Sequence, residues 1–384
     1  MSEVTFHSEA DLDAIDRIEW DSLLLPGDHL ASWRFLRVCR DAGIEDARYR
    51  YVAIRQRGRL VATAVLTSMT VSLELLAPRG VRAFARGGRA ILPRFLRVRT
   101  LFCGLPVSFG TSCLRFASST DGDTEEARIF PLVARAMEEF AEEEGAGLLC
   151  AKEFTDAERG RADALEQFGF FRAPSLPGLS LGIDWPSFDS YLNAMRAGYR
   201  RQVRASLAFR SERELSLRIA EDWGAECPPL HELYGQVMDR AEFQLERLPV
   251  AFFERLNAEF GSDARALLLE RDGTLEAAAI LLYGPNTLTF LLAGIDYARN
   301  ETDRAYQNLV VEVVAEAIRC GASRLELGQT SYALKTRLGG VADPRWLFLK
   351  HRRRPVHETL RRCAGLLFPT ASVPERRVFG TRAP

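Results

Sequence analysis

The chain has 384 residues, of which 47% are hydrophobic and 27% are charged. This composition is typical of a folded protein, and the length suits two domains. A formal net charge of −1 argues against a protein that coats nucleic acid through bulk electrostatics. The acidic N-terminal segment lacks the apolar core of a secretory signal, and no run of about 18 apolar residues predicts a membrane span.

Cysteine and histidine usage points away from disulfides and metals. The seven cysteines are scattered, odd in number and without a C-x-x-C pair, which favours reduced thiols in a cytoplasmic protein. The five histidines lie far apart, so we expect no metal site. Lys152, Lys335 and Lys350 are the only lysines among 51 basic residues.

The first half of the chain predicts an α/β unit. Its hairpin has Arg57–Gly58 as the turn signal, and a segment rich in arginine and glycine is interpreted as a mobile basic insert. In chain order we expect helices over 10–24 and 32–41, a hairpin within 48–72, the insert over 78–99, one or two strands within 101–117, a helix over 123–144 capped by Thr124 or Asp123, a strand over 148–154 and a short helix over 162–169.

The second half predicts a similar series. Its hairpin turns at Asp272–Gly273, and its helices include one that carries many arginines. In chain order we expect helices over 187–195 and 196–213, a strand over 215–221, two helices within 230–260 separated near Pro249, a hairpin over 266–284, a strand over 288–295, a helix over 302–319 and a strand over 323–328.

The two hairpins read alike, VAIRQRGRLVATAVL against LLLERDGTLEAAAIL, and each is followed by a strand, a long helix and a strand. We interpret this as internal duplication of one α/β unit, with two unrelated α/β domains as the alternative. The predicted division is an N-terminal unit over 1–180, a C-terminal unit over 181–350, and a basic tail over 351–384.

A motif after the last long helix carries a family resemblance. It reads G-x-x-x-L-E-L-G, then Y-x-x-K-x-x-L-G, and its residues are Gly321, Leu325, Glu326, Leu327, Gly328, Tyr332, Lys335, Leu338 and Gly339. This order resembles the second half of the FemAB-like and CelD-like (BioF2-like) acyltransferases, which fuse two GNAT units. The resemblance implies a tandem GNAT-like fold, with mixed sheets flanked by helices, and an acyl-transfer reaction.

The resemblance also implies candidate catalytic residues. In GNAT folds two parallel strands splay apart and the donor lies between them; here these would be Leu288–Ile295 and Ser323–Gly328. Lys335 would hold the donor's phosphate or carbonyl or stabilise the oxyanion, and Tyr332 would protonate the leaving group. Glu326 is either a general base in the cleft or a residue on the solvent-exposed face of an edge strand. A surface lysine and a packing tyrosine remain the alternative for the first two.

Arginines are the candidate donor-binding residues. Arg196, Arg200 and Arg204 fall at helical spacing and form a stripe suited to phosphates, or else a solvated helix face. The segment before the helix over 302–319 lacks the glycines that wrap the CoA pyrophosphate in typical GNAT enzymes. Arg299 or Arg304 would have to replace them, unless they only begin a solvated helix.

Several functions remain open from the sequence. The preferred one is an N-acyltransferase that uses acyl-CoA and an amine acceptor, with no resident cofactor. The alternatives are a FemAB-type transferase that uses aminoacyl-tRNA, and a non-catalytic tandem GNAT module that binds polyanions. The basic tail after His351 is either an ordinary C-terminal helix or a peripheral contact with an anionic membrane.

Overall fold

A computed structural model of the chain describes residues 4–72, 97–107, 110–117, 128–241, 245–299 and 304–380. These residues form one mixed sheet of 13 strands in the order β1-β2-β3-β4-β6-β13-β7-β12-β11-β10-β9-β8, with β5 paired to β3. The strands are β1 Val4–Glu9, β2 Arg48–Gln56, β3 Arg59–Ser72, β4 Arg97–Cys103, β5 Leu114–Phe116, β6 Leu148–Thr155, β7 Phe171–Gly182, β8 Ser216–Ala220, β9 Ala264–Arg271, β10 Thr274–Tyr283, β11 Thr287–Ile295, β12 Arg324–Gly328 and β13 Val341–His351.

Helices cover both faces of this sheet. They are α1 Arg17–Asp21, α2 Trp33–Asp41, α3 Phe130–Glu143, α4 Asp156–Ala162, α5 Phe188–Ala194, α6 Ala197–Glu212, α7 Cys227–Arg240, α8 Val250–Phe260, α9 Ala305–Arg319, α10 Tyr332–Lys335, α11 Arg354–Arg362 and α12 Ala364–Leu367. The α/β class and the mixed sheet flanked by helices, both expected from the sequence, are confirmed. Within the ranges described, no helix is both long and apolar enough to cross a membrane.

Both predicted hairpins are present and turn where expected. Arg57 and Gly58 have φ of 52° and 80°, and Asp272 and Gly273 have φ of 51° and 73°. Two consecutive residues with positive φ are the signature of a type I′ turn, whose twist matches that of the flanking strands. Local sequence alone therefore determines β2–β3 and β9–β10.

The second half of the chain packs its helices on opposite faces of its strands. The apolar side of α9 lies with α6 against Leu325 and Leu327 of β12. On the other face α7 and α8 pack on β9 and β10, and α2 from the first half joins the same core. Gly294 on β11 lets α7 approach closely, because a Cβ there would lie 2.8 Å from Leu233 Cβ.

The two halves are interleaved rather than placed side by side. β13, the last strand of the chain, pairs antiparallel with β6 of the first half over Arg345–His351 and with β7 over Val341–Leu349. β7 in turn pairs with β12 of the second half. The predicted boundary at 180 falls within β7, and the division into units stays a prediction.

Several predicted elements differ from the structure. The segment 10–24 contains a 3-10 turn and the short helix α1 rather than one helix, because Asp16 starts a new cap by accepting from the Glu19 amide. The predicted insert over 78–99 ends in a strand, since Arg97–Arg99 belong to β4, while 78–96 lie outside the described residues. The helix over 123–144 is described from Phe130, with Pro131 in its first turn; Thr124 and Asp123 lie outside the described residues.

Three strands were missing from the prediction. β1, β7 and β13 lack a clean alternation of apolar and polar residues, and β7 and β13 each contain proline. β7 and β13 are paired on both edges in the middle of the sheet and depend on long-range partners, so their local sequence carries a weak signal. β1 is an edge strand, and its pairing with β2 likewise depends on a partner far along the chain.

Candidate functional site

The cleft of the second half lies between β11 and β12. These parallel strands pair only over Thr287–Thr289 and Arg324–Glu326. β11 continues along β10 to Ile295, with a bulge at Leu291 where its register with β10 shifts. Because bulges bend a strand away from its neighbour, β11 departs from β12 just beyond Thr289. The two strands therefore splay and open a mouth, as the resemblance implied.

Lys335 lies in this mouth. Its side chain is buried, and the ammonium donates to the carbonyl oxygen of Leu327 on β12 at 2.6 Å. The same Nζ lies 5.3 Å from the ring centroid of Phe290 on β11. Burial lowers the pKa of Lys335 to about 7, so the neutral and charged forms are both populated near neutral pH.

The backbone around Lys335 is shaped to turn the side chain inward. Ser331 has φ of 57° before α10, and Gly339 has φ of 95° after it. The Gly340 amide donates to the Lys335 carbonyl at 3.0 Å, and a Cβ at Gly340 would lie 2.9 Å from that oxygen. The L-G-G end of the motif is thus required to close the loop tightly behind the lysine.

Tyr332 is not directed at Lys335. Its hydroxyl donates to the Pro177 carbonyl on β7 at 2.9 Å, and burial raises its pKa. In this state Tyr332 anchors α10 to the central strand β7. It reaches a leaving group only by giving up that hydrogen bond.

Comparisons with known proteins agree with this geometry. Residues 193–336 match the family model described as "Acetyltransferase (GNAT) domain". This part of the chain is therefore similar to a GNAT domain. The match covers β11, α9, β12 and Lys335, and it stops before β13.

Two solved structures resemble the chain along most of its length. One is FemX, with a TM-score of 0.55 and 14% identity over 90% of this chain and 98% of that one. The other is a tandem GNAT protein from the clavulanic acid biosynthesis pathway, with a TM-score of 0.51 and 14% identity over 91% of this chain and 98% of that one. The chain therefore has the tandem GNAT fold that the resemblance implied.

Curated relatives come from two strains of Mycobacterium tuberculosis, CDC 1551 / Oshkosh and ATCC 25618 / H37Rv. Both are named "Putative 8-amino-7-oxononanoate synthase 2" and are 26% identical over 330 residues, which is 84% of this chain. The alignment covers 42% of each relative, so this tandem GNAT chain spans less than half of their length.

Glu326 lies on the face of β12 opposite Leu325 and Leu327, as the alternation predicted. Its carboxylate forms an ion pair with Arg324 on the same strand, and 29% of the Glu326 side chain is exposed. The residue therefore borders the GNAT cleft from the side of α7 rather than that of α9.

Arg196, Arg200 and Arg204, the predicted arginine stripe, differ in whether other residues of the chain already engage them. Arg196 is the exposed N-cap residue of α6 and not part of the helix. Arg200 donates to the carbonyl oxygens of Asn193 and Met195, both at 3.3 Å, and so caps the end of α5. Arg204 is exposed on α6.

The start of α9 lies beside α6. Ser206 donates to the Asn308 side chain at 2.7 Å, and Arg210 pairs with Glu312, so the two helices run parallel in register. Arg204, two residues before Ser206, is level with the first turn of α9 but lies on another face of α6, because residues two apart on a helix do not share a face. A helix N-terminus of this kind favours anions.

The two other candidate arginines differ in their environments. Arg299 forms ion pairs with carboxylates, at 3.2 Å from buried Glu276 and 3.6 Å from Asp296. Arg304 is the exposed N-cap residue of α9, and its guanidinium lies 5.1 Å from the centroid of Phe209. Of the five arginines, Arg304 is thus the one placed to meet an anion at the start of α9.

Sequence reasoning missed Tyr306 and Asn308 of α9. The Tyr306 hydroxyl interacts with Ser331, which links the start of α9 to the loop that carries Lys335; burial raises the pKa of Tyr306 to about 12. Asn308 is fully buried and donates to the Arg304 carbonyl at 3.3 Å. The available signal was a run of polar residues at helical spacing, since Glu312 and Glu316 follow Asn308 on the same side of α9 and are also buried.

The basic tail forms α11 and α12. Arg352 and Arg353 line a surface pocket with Arg97, and the side chain of Leu366 on α12 is 74% exposed. The expected C-terminal helix is present. The proposed membrane contact stays a prediction.

Proposed function

We propose that the chain is an N-acyltransferase that moves the acyl group of an acyl-CoA thioester to an amine. One observation carries this proposal: the Lys335 ammonium is buried in the mouth between β11 and β12. Its hydrogen bond to the Leu327 carbonyl uses one of three N–H donors. The other two are available to a ligand in the mouth.

In the proposed reaction Lys335 binds the thioester carbonyl oxygen. The amine nitrogen attacks the carbonyl carbon, and negative charge develops on that oxygen, where the ammonium stabilises it. Glu326, at the edge of the cleft, accepts the proton that the amine loses. The C–S bond then breaks, and the thiolate takes a proton from Tyr332 once this hydroxyl leaves the Pro177 carbonyl.

The phosphates of the donor are proposed to lie at the start of α9. Arg304 is exposed there, and the helix N-terminus supplies backbone N–H groups. Arg204, on another face of α6, would add long-range attraction. Arg196 and Arg200 would contribute long-range attraction only, since Arg200 caps α5.

An aminoacyl-tRNA donor is the second candidate, because residues 296–304 contain no glycine to wrap a pyrophosphate. A tRNA would also use the exposed arginines of α6. The acyl-CoA reading is tested by release of free CoA thiol with a panel of acyl-CoAs and amines, and the alternative by deacylation of charged tRNA. Activity with charged tRNA alone would show that the donor is an aminoacyl-tRNA. Absence of activity in both assays would favour a non-catalytic binding module.

The role of Lys335 is tested with Lys335→Met and Lys335→Arg, using Lys350→Met as the matched control. Loss of an oxyanion donor lowers the rate by roughly 10²–10³-fold, so we expect that loss in Lys335→Met. Lys350 lies on the surface of the first half, where it donates to the Phe168 carbonyl, and its variant should keep full activity. Equal activity in Lys335→Met and Lys350→Met would remove Lys335 from the reaction.

The pH dependence separates an ammonium role from a base role. Arginine stays charged at all working pH values, whereas the pKa of Lys335 is lowered to about 7. The ratio of wild-type to Lys335→Arg activity should therefore fall as pH rises from 7 to 9, and taking the ratio cancels the titration of the acceptor amine. A rising ratio would show that neutral Lys335 acts as a base.

The acceptor and the cellular setting are proposed from general features. The acceptor amine enters from the Glu326 side of β12, which is partly open to solvent. We infer a cytoplasmic protein, with peripheral contact between the basic tail and an anionic membrane. Binding to vesicles that contain anionic lipid, compared before and after deletion of residues 352–384, tests that contact.

A further inference from the structure

The protein buries two of its three lysines, and it does so at matching places in the two halves. Lys152 on β6 is 6% exposed and Lys335 after β12 is 3% exposed. β6 runs parallel to β4, as β12 runs parallel to β11. The Lys152 Nζ lies 5.5 Å from the ring centroid of Phe102 on β4, and the Lys335 Nζ lies at a similar distance, 5.3 Å, from that of Phe290 on β11. Each half thus places an ammonium beside a parallel strand pair.

The two lysines differ in what they bind. Lys335 donates to the Leu327 carbonyl, but Lys152 Nζ has no hydrogen-bond partner among the residues that the structure describes. A buried ammonium without hydrogen bonds is costly, because none of its three N–H donors is satisfied. The chain nevertheless places lysine here and arginine at almost every other basic position.

The backbone around Lys152 is shaped for its side chain. Lys152 and Glu153 together face the single residue Leu347 of β13, so β6 has a bulge there, and Glu153 adopts a φ of 69°. Bulges and left-handed non-glycine residues concentrate at binding sites, where they redirect side chains. Gly104 has φ of 142°, and a Cβ at this position would lie 2.8 Å from Lys152 Cε. Gly104 thereby leaves room for the lysine side chain.

The thiols near Lys152 do not neutralise its charge. Lys152 interacts electrostatically with Cys103, Cys113 and Cys150, which are all buried. Burial raises the pKa of each thiol, to about 12 for Cys150, so all three are neutral at pH 7. The groups left to balance the ammonium are carboxyls.

Two carboxyl residues belong to this region. Glu153 follows Lys152 in the bulge and is buried, and Glu246, from the segment between α7 and α8, interacts electrostatically with Lys152. Burial raises the pKa of Glu246 to about 7; the Lys152 ammonium lowers it, and Glu153 raises it further. At neutral pH Glu246 is therefore partly protonated and can donate a hydrogen bond to an anionic oxygen.

We propose that the end of the β4–β6 pair, where Lys152 follows the last paired residue Ala151, is a second ligand site in which the Lys152 ammonium binds the carboxylate of a small ligand. A carboxylate accepts from the free N–H groups of Lys152 and from protonated Glu246. A phosphate dianion fits less well, because it would bring a second negative charge into a region that already contains the buried Glu153 carboxyl. This site is separate from the Lys335 cleft and goes beyond the proposed acyl transfer.

Lysine NMR tests the proposal directly, since the chain has three lysines and each gives one side-chain signal. Protein labelled with ¹³C at lysine Cε is assigned with Lys152→Arg and Lys350→Arg. Acetate, L-alanine, succinate and inorganic phosphate are then titrated separately into the wild type. We expect a saturable shift of the Lys152 signal with at least one carboxylate and an unchanged Lys350 signal. If no carboxylate moves the Lys152 signal, or if phosphate alone moves it, the proposal is overturned.

Thermal stability provides an independent measurement. The carboxylate that shifts the NMR signal should raise the melting temperature of the wild type and of Lys350→Met but not of Lys152→Met. Equal stabilisation in Lys152→Met would place the carboxylate elsewhere. Should Lys152→Met fail to fold, the titration of the wild type decides. Acyl transfer is assayed separately, so failure of the proposed function leaves this test unaffected.

Discussion

Lys335 combines deep burial with an ionisable group, and this combination makes a thermodynamic prediction. The pKa of Lys335 is lowered from 10.5 to about 7 in the fold. Between these values the unfolded chain binds more protons than the folded one, so the contribution of Lys335 to stability rises with pH. Below pH 7 Lys335 is charged in both the folded and the unfolded chain, so burying the charge lowers the free energy of unfolding by its full amount.

We therefore expect the wild type to gain stability relative to Lys335→Met as pH increases from 7 to 10. The gain should approach about 1.4 kcal/mol per pH unit within that window. Urea unfolding of both proteins at several pH values measures the difference, from which the titration of all other groups cancels. A difference that is constant with pH would mean that Lys335 keeps an ordinary pKa.

At the scale of elements, the approach of α7 to β11 depends on one glycine. A Cβ at Gly294 would lie 2.8 Å from Leu233 Cβ and 3.1 Å from the Tyr234 amide nitrogen, and backbone atoms cannot move aside cheaply. α7 must therefore shift if Gly294 is replaced. Since α7 covers the same part of β11 that opens the mouth, the shift would also reach the cleft.

Gly294→Ala should destabilise the protein by about 1–3 kcal/mol through overpacking. The control is Gly235→Ala on α7 itself, where a new Cβ meets no atom within 4 Å. There alanine should stabilise by roughly 0.5–1 kcal/mol through its helix propensity. Denaturant unfolding of the two variants gives both values, and a stabilising Gly294→Ala would contradict the close packing.

For the whole molecule, the interleaved strands predict that the two halves depend on each other. A fragment over 1–183 lacks β13, the partner of β6, and a fragment over 184–384 lacks β7, the partner of both β12 and β13. Each fragment would expose an unpaired apolar strand in the middle of the sheet, which favours aggregation.

We expect neither fragment to fold alone and the two to form a soluble complex when they are co-expressed. Amide dispersion in ¹H–¹⁵N spectra of each fragment, and co-purification through a tag on one of them, measure this. A well-dispersed spectrum from 1–183 by itself would show that the first half is an autonomous domain.

Local sequence was sufficient where the structure depends on neighbouring residues. Arg57–Gly58 and Asp272–Gly273 each determine a turn, because two adjacent residues must adopt positive φ. The apolar stripe of residues 305–319 likewise predicts the buried helix α9. The spacing of the motif around Lys335 predicts a strand end followed by a loop, and the structure has β12 ending at Gly328 before that loop.

Tertiary structure decided what depends on residues far apart in the chain. Arg345 on β13 pairs with Thr155 on β6, a contact that no local pattern of residues encodes. Arg299 and Arg304 look equivalent in sequence, yet buried Glu276 holds one and leaves the other at the start of α9. The environment of Lys152 also depends on the fold, because Lys152, Gly104 and Glu246 lie in three separate segments of the chain. Neighbouring residues specify the turns, the helical faces and the motif beside the cleft. Which charged side chains remain free to bind a ligand depends on the fold, because electrostatic pairing is set by distance in space.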